Sequence, residues 1–139
     1  RACTRGQVVT FLWRAYGCPE PSSDRCPFQD VSDRRYYHQA VLWAAEAGIA
    51  LGTDATHFSP DATVTRGQIV TFLWRAEGSP TASGGNPFVD VEKGRFYYDA
   101  VLWAASEDIT AGVDAVHFAP GRSCTRGQVA TLLYRSFNQ

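Results

Sequence analysis

The sequence that decides the fold is a short segment that occurs three times and always opens on Thr-Arg-Gly-Gln. It reads TRGQVVTFLWRA at residues 4–15, TRGQIVTFLWRA at 65–76 and TRGQVATLLYRS at 125–136. Self-similarity at a nearly fixed spacing indicates a repeat architecture, in which each unit needs its neighbours to bury its apolar face. The chain is therefore expected to build its fold from copies of one helical unit.

The similarity extends far beyond this segment, because residues 28–68 align without gaps with residues 88–128. We therefore divide the chain into the last part of one repeat (1–17), a second repeat (28–78) and a third repeat (88–139). The segments 18–27 and 79–87 are loops between the repeats. Because the first repeat lacks its opening part, we expect the chain to belong to a longer protein.

Each full repeat is predicted to contain two helices joined by a loop rich in Gly, Asp, Thr and Pro. The first helix is expected at 35–47 and again at 96–107, with Asp30 and Asp90 as candidate caps and Gly48 as a left-handed stop. The second helix is expected at 66–76, and its apolar residues surround more than one side, as in a buried helix. The predicted fold class is all-α, with irregular loops.

The Thr and the Gln of the repeated segment have a structural explanation. A Thr followed three residues later by Gln forms a capping box, in which each side chain bonds to the backbone amide of the other residue. Typical caps stabilise a helix by about 1 kcal/mol. We therefore expect the same helix start at Thr4, Thr65 and Thr125.

The Arg and the Gly of the segment are harder to explain. Glycine in a helix costs about 1 kcal/mol relative to alanine, and a cation is disfavoured by the dipole at a helix start. Both residues make sense if an anion binds there, between free N–H groups and a guanidinium. The alternative is that Arg pairs with an Asp of a neighbouring repeat while Gly allows close packing, and both explanations stay open. The candidate ligand-binding residues are Arg5, Arg66, Arg126, Gly67 and Gly127.

Composition and charge exclude several function classes. The formal net charge is −1 and there is no run of Lys or Arg, so the electrostatic footprint of a nucleic-acid-binding protein is missing. No apolar run is long enough to span a bilayer. We find no arrangement of residues that suggests catalysis, a metal site or a cofactor, since His57 and His117 stand in separate loops without a ligand set. The chain is therefore not expected to be an enzyme.

The four cysteines suggest an exported protein with disulfides. Cys18 and Cys26 stand at the two ends of the loop CPEPSSDRC, and both are absent from the equivalent loop of the next repeat. Two cysteines gained together at loop ends predict a disulfide between them. Cys3 and Cys124 each precede a TRGQ helix, and they would also bond if the helix starts converge around a threefold axis.

The pattern resembles the S-layer homology domain. The resemblance rests on the FxDV entry at 28–31 and 88–91, the aromatic pair, the AVLWA helix, the F-x-P turn at 58–60 and 118–120, and the TRGQ helix start. It implies a pseudo-threefold arrangement of repeats and a non-covalent anchor on bacterial cell-wall polysaccharide, often one that bears pyruvate ketals. It places Arg5, Arg66 and Arg126 in grooves between lobes, and it makes Trp43 and Trp103 candidates to stack on a sugar, unless these rings only pack in the core.

The resemblance also implies a location and partners. The chain is expected outside the cell, at the bacterial cell surface, where an upstream segment or a second copy of the chain would complete the first repeat. Two alternatives stay open. One is a module for protein interaction or self-assembly, in which the arginines are structural, and the other is an accessory module of a larger surface enzyme.

Overall fold

The computed structural model describes residues 1–23 and 25–137. Asp24, in the predicted loop 18–27, and the last two residues of the predicted repeat 88–139 lie outside this description. The described residues form α1 (Arg5–Ala15), α2 (His38–Glu46), α3 (Arg66–Ala76), α4 (Tyr98–Ser106) and α5 (Arg126–Phe137). Pairing between extended segments in these residues is limited to single bridges, Ala2 with Thr125, Thr4 with Thr63 and Thr65 with Ser123. The expected mainly helical fold with irregular loops is confirmed.

The chain forms two compact units. One unit is Cys3–Thr63, in which α1 packs against α2. The other runs from Val64 to the end of the described residues and includes Arg1–Ala2, and in it α3 packs against α4 and also contacts α5. Each unit therefore joins a TRGQ helix to the helix and loop that follow it in sequence. The predicted repeats 28–78 and 88–139 describe the sequence pattern. The compact units have different bounds, because each begins near a TRGQ helix and not at an FxDV segment.

The capping boxes expected at the TRGQ helices are confirmed. The amide of Gln7 donates to the hydroxyl of Thr4, and the amide of Thr4 donates to the side chain of Gln7. The same reciprocal pair occurs at the start of α3 and at the start of α5. Because the box depends only on residues three apart, its local sequence is sufficient to predict it.

The other helices begin later than predicted. The prediction started them at residues 35 and 96, but α2 begins at His38 and α4 at Tyr98. A turn takes the place of the first helical residues, because the amide of Arg35 bonds to Ser32 and the amide of His38 bonds to Arg35. The N-caps are tyrosines without a side-chain cap, so the capping role expected for the aspartates of the FxDV segments was wrong.

The ends of these two helices behave as expected. Gly48 follows α2 with a φ of +74°, in the left-handed region that glycine adopts without strain. Asp108 takes the same conformation after α4, with a φ of +58°. A side chain is disfavoured there, so the end of α4 is the less ideal of the two.

The core of each unit lies between its TRGQ helix, the following helix and the F-x-P loop. Val8, Leu12, Val41 and Phe58 are fully buried in one unit. Their counterparts in the other unit are equally buried, namely Ile69, Leu73, Val101 and Phe118. Within the described residues, no helix is long and apolar enough to cross a membrane.

Candidate functional site

The first two arginines of the TRGQ segments are buried and hold the loop that follows in sequence. Arg5 is only 4% exposed, and it donates from Nε to the carbonyl of Phe58 and from Nη2 to the carbonyl of Leu51, both at 2.9 Å. Its guanidinium carbon lies 4.7 Å from the centre of the Phe58 ring. Arg66 is 7% exposed and repeats this arrangement with Phe118, with a 2.7 Å bond to the carbonyl and 4.6 Å to the ring centre. Each arginine therefore ties a helix start to an aromatic loop.

The backbone amides at the start of α1 donate hydrogen bonds to the loop that follows α2. The amide of Arg5 donates to Ala62 and the amide of Gly6 donates to Pro60, each at 2.8 Å. A Cβ on Gly6 would stand 2.9 Å from Cδ2 of Tyr37 and 3.1 Å from the carbonyl oxygen of Pro60. The glycine therefore allows a close approach between the helix and the loop.

The start of α3 is built in the same way. The amide of Arg66 donates to Arg122 at 2.8 Å, and the amide of Gly67 donates to Pro120 at 2.9 Å. A Cβ on Gly67 would stand 2.9 Å from Cδ2 of Tyr97. At α1 and α3 the glycine thus serves close packing, which was one of the two explanations left open. An anion at these two starts stays a prediction, and it would meet amides that already have partners.

The third copy of the segment is open. Arg126 and Gly127 are exposed at the start of α5, although their counterparts are buried. The amide of Arg126 donates to Arg1 at 3.3 Å, but within the described residues the amide of Gly127 has no hydrogen-bond partner. A Cβ there would meet only its own cap, the Thr125 hydroxyl, at 3.9 Å. Thr131 is exposed on the same helix, whereas the equivalent threonines of α1 and α3 are 1% exposed.

A groove of about 620 Å³ lies beside this open helix, within the unit that begins at Val64. The side chain of Arg66 lines it. Within the described residues, the only hydrogen bond of this side chain is the one from Nε to the carbonyl of Phe118. Arg135 reaches it from α5 and donates to the carbonyl of Ile109 at 3.5 Å. Polar and apolar surface line the groove in about equal parts. Its lining consists of Arg66, Thr110, Ala111, Gly112, Thr125, Gly127, Gln128, Thr131, Leu132 and Arg135.

The electrostatics of the groove favour a negative ligand. Burial lowers the pKa of the Arg66 guanidinium, but a guanidinium remains protonated at neutral pH because its pKa is so high. A buried charge is costly unless charged or hydrogen-bonded partners compensate it. An anion in the groove would supply such a partner. Sequence reasoning missed Arg135, although an arginine recurs at this position in all three helices, as Arg14 and Arg75.

The two tryptophans that the resemblance nominated are not equivalent. Trp103 is 5% exposed and packs in the core of its unit, so its ring faces are not available to a sugar in this structure. Trp43 is half-buried, and its ring centre lies 5.7 Å from that of Tyr16 at an angle of 44°. Stacking of a sugar on Trp43 stays a prediction, and for Trp103 the core alternative fits the observed burial.

The aspartates of the FxDV segments hold the F-x-P turns. The two carboxylate oxygens of Asp90 accept the amides of Phe118 at 2.9 Å and Ala119 at 2.8 Å. This pair of bonds holds Ala119 at a φ of +59°, in the left-handed region. Burial tends to raise the pKa of Asp90, but the amide hydrogen bonds outweigh burial, and the pKa is lowered. Asp30 makes the same two bonds in the other unit.

His57 and His117 serve the loops, as expected. Nδ1 of His57 lies 3.0 Å from Oδ1 of Asp54, which also accepts the amides of Thr56 and His57. The hydrogen bond and charge of Asp54 raise the pKa of His57, and the pKa of Asp54 is lowered by the amide of Thr56 and by the His57 ring. Within the described residues, no group of three or more His, Cys, Asp or Glu side chains is placed to hold a metal ion.

The four cysteines differ in their exposure, which bears on the two predicted disulfides. Cys18 is an exposed thiol, and Cys26 is a half-buried thiol whose Sγ lies 3.6 Å from the carbonyl oxygen of Phe28. The two are not bonded in this structure, so their disulfide stays a prediction. Cys3 and Cys124 are both fully buried, and their pairing also stays a prediction.

Comparison with known proteins gives consistent results. The sequence profile of the S-layer homology domain matches residues 27–70 and 87–130. The chain is 31% identical over 118 residues to an endoglucanase of Bacillus sp. (strain KSM-635), which covers 85% of this chain and 12% of that protein. It is 32% identical over 102 residues to the surface-layer 125 kDa protein of Lysinibacillus sphaericus, which covers 73% of this chain and 9% of that protein. The chain thus spans about a tenth of the length of these relatives.

Proposed function

Because this chain belongs to the S-layer homology domain family, whose domains anchor surface proteins to the bacterial cell wall, we propose that it binds an anionic cell-wall polysaccharide. The proposed ligand class includes polymers that bear pyruvate ketals. The location is outside the cell, at the cell wall, in agreement with the surface-layer relative. The match to the endoglucanase covers 12% of that enzyme, so it supports no enzymatic activity for this chain.

The observation that carries the proposal is the groove headed by Arg66. Arg66 is 7% exposed, yet it lines an open groove, and its guanidinium donates one hydrogen bond to the carbonyl of Phe118. A carboxylate in the groove would accept two parallel N–H bonds from such a group, and charge-assisted bonds of this kind are about twice as strong as neutral ones. Arg135, which also lines the groove, supplies a second positive charge.

The rest of the lining suits a carbohydrate. Three threonine hydroxyls and the Gln128 amide can exchange hydrogen bonds with sugar hydroxyls, and Leu132 offers one apolar contact. The amide of Gly127, for which the described residues provide no hydrogen-bond partner, stands at the start of α5, where the helix dipole favours an anion. Exposed Arg126 adds a further positive charge beside it.

The test is co-sedimentation of the chain with cell-wall sacculi from the source organism. Thr131→Asp places a carboxylate on an exposed residue of the groove, so it should repel the ligand without unfolding the chain. Removal or opposition of one charged contact typically costs about 1.5–3 kcal/mol, which corresponds to a roughly 10- to 150-fold loss of affinity. Ser83→Asp changes the charge equally in an exposed loop of the same unit and serves as the control. Absence of wild-type binding to sacculi, or equal binding by the two variants, would refute the groove as the site.

A second candidate function is protein interaction, and one observation favours it. The face of α5 that carries Gly127, Ala130 and Thr131 is exposed, although the same face of α1 and α3 is buried under a tyrosine and an F-x-P loop. We propose that an upstream segment or a second copy of the chain covers it. Sedimentation velocity across a range of concentrations separates these two sources, because only a second copy makes association depend on the concentration of this chain.

We propose that the chain is an accessory module that holds a longer surface protein in place. One relative is an endoglucanase and the other is a surface-layer protein. The same kind of module therefore occurs in proteins with different remaining parts.

A further inference from the structure

Each unit of the chain exposes one aromatic ring just before its second helix. Tyr36 is 53% exposed before α2, and Phe96 is 58% exposed before α4. Scattered exposed apolar residues are ordinary on protein surfaces. Here, however, the ring recurs at the equivalent position of two repeats whose neighbouring residues differ, SDRR before Tyr36 and EKGR before Phe96. The recurrence suggests that the exposed ring itself is needed.

The ring of Tyr36 is held in place. It stands edge-on to the ring of Tyr37, with 5.0 Å between the ring centres and an angle of 72°. Tyr37 is 3% exposed and packs against the start of α1, so it is a fixed support. The backbone is fixed as well, because the amides of Arg35 and His38 close hydrogen-bonded turns on either side of the ring.

The ring of Phe96 has the same support. It lies 5.1 Å from the ring of Tyr97 at an angle of 76°, and Tyr97 is buried. The amides of Arg95 and Tyr98 close the equivalent turns, at 3.3 Å and 3.0 Å. A ring that is already ordered loses little conformational freedom when it binds a partner.

Positive charge accompanies each ring. The guanidinium carbon of Arg35 lies 5.5 Å from the centre of the Tyr37 ring, and that of Arg95 lies 5.8 Å from the centre of the Tyr97 ring. Each turn also carries one more cationic side chain and one acidic side chain, all of them exposed, namely Arg34 with Asp33, and Lys93 with Glu92. The surroundings of both rings are therefore polar and biased toward positive charge.

A sugar ring fits these surroundings better than a protein does. Protein interfaces bury a continuous patch in which several apolar residues form the centre, whereas each ring here stands alone among charged residues. A pyranose presents an apolar C–H face to an aromatic ring, hydroxyls at its edge, and in an anionic polymer an acidic substituent for a guanidinium. Each unit carries one such ring, so the chain offers two contacts of the same kind to a sugar polymer.

We propose that Tyr36 and Phe96 are stacking platforms for sugar rings of the anionic cell-wall polysaccharide, with Arg35 and Arg95 contacting its acidic groups. This inference rests on the proposed function, but Phe96 is not among the residues that line the groove of Arg66. The platforms are thus separate contacts that would add to binding in the groove.

The test compares binding to sacculi freed of protein for the wild type, Tyr36→Ala, Phe96→Ala and the double variant. Each ring should contribute roughly a 2- to 10-fold change in affinity, as for other aromatic contacts, and the double variant should lose more than either single one. Tyr36→Phe should bind as the wild type does, because the ring remains. Tyr134→Ala removes a 70% exposed ring from α5 and should leave binding unchanged.

The outcomes separate this inference from the proposed function. Absence of wild-type binding to the sacculi would refute the function itself, and the platforms with it. Wild-type binding that the double alanine variant retains in full would overturn the platforms and leave the function intact. Loss of binding to native envelopes but not to protein-free sacculi would assign the rings to a protein partner, which also overturns the proposal.

Discussion

The three glycines of the TRGQ segments offer a matched set of substitutions, because their local sequences are nearly identical and their surroundings differ. Gly6 and Gly67 are covered, and Gly127 is open. Alanine at each position removes the same helix penalty, which is at most about 1 kcal/mol. Any difference among the three variants therefore measures what lies against the helix start.

The structure sets the size of that difference. A methyl group on Gly67 would stand 2.9 Å from the buried ring of Tyr97 and 3.2 Å from the carbonyl oxygen of Pro120. This carbonyl also accepts the amide of Gly67 at 2.9 Å, so neither neighbour can move without losing a contact. Overpacking of this kind costs about 1–3 kcal/mol. After the full helix gain is subtracted, we expect a net loss of up to about 2 kcal/mol for Gly67→Ala, and the same for Gly6→Ala.

At Gly127 the sign should reverse. The added methyl group meets nothing closer than 3.9 Å, so only the helix gain remains, and the free energy of unfolding should stay equal or rise by up to about 1 kcal/mol. Urea unfolding followed by far-UV circular dichroism measures all three variants. Equal destabilisation by Gly127→Ala and Gly67→Ala would mean that the start of α5 is covered in solution, and the reasoning would be refuted.

Three further predictions follow from the loops. Asp90→Asn should lower the free energy of unfolding by about 1.5–3 kcal/mol, because one carboxylate accepts two amides. Since the pKa of Asp90 is lowered, its contribution should be present above pH ~4 and disappear as the pH falls through the folded-state pKa. A wild type whose stability shows no such loss in acid would contradict the assignment. In an NMR titration, the pKa of His57 should lie above its ordinary value, and in Asp54→Asn it should return toward that value. The pair therefore stabilises the loop at pH values between the ordinary pKa of Asp and the ordinary pKa of His. This contribution is lost as the pH rises through the folded-state pKa of His57 or falls through the folded-state pKa of Asp54. Peptide mapping of the oxidised chain without reductant should find Cys18 joined to Cys26, and recovery of both as free thiols would sink the disulfide.

The parts of the fold that depend on neighbouring residues could be predicted from the sequence. The capping boxes join residues three apart, and the helical periodicity identified both the TRGQ helices and the helices between them. The starts of α2 and α4 were misplaced because a turn at Arg35 competes with the helix for the same amides. Competition of this kind depends on small differences in energy that the hydrophobic pattern does not report.

The candidate site depended on contacts that are distant in sequence. Arg66 bonds to Phe118, which is 52 residues away, so its local sequence could not distinguish a packing role from an anion site. Gly67 and Gly127 have the same residues on both sides, yet one is buried and the other exposed. Only the recurrence of an Arg and a Phe at similar separations in both units offered a signal for the observed pair.

The pairing of each TRGQ helix with a later loop has a consequence for synthesis on the ribosome. The loop that receives Arg5 is centred on Phe58, 53 residues further along the chain. At 5–20 residues per second, about 3–10 s pass before that loop has been translated. Throughout this delay, the apolar face of the nascent TRGQ helix remains uncovered, because the loop that packs against it has not yet been made. Each newly made repeat thus completes the preceding one, and a chain halted between the two would be a target for chaperones.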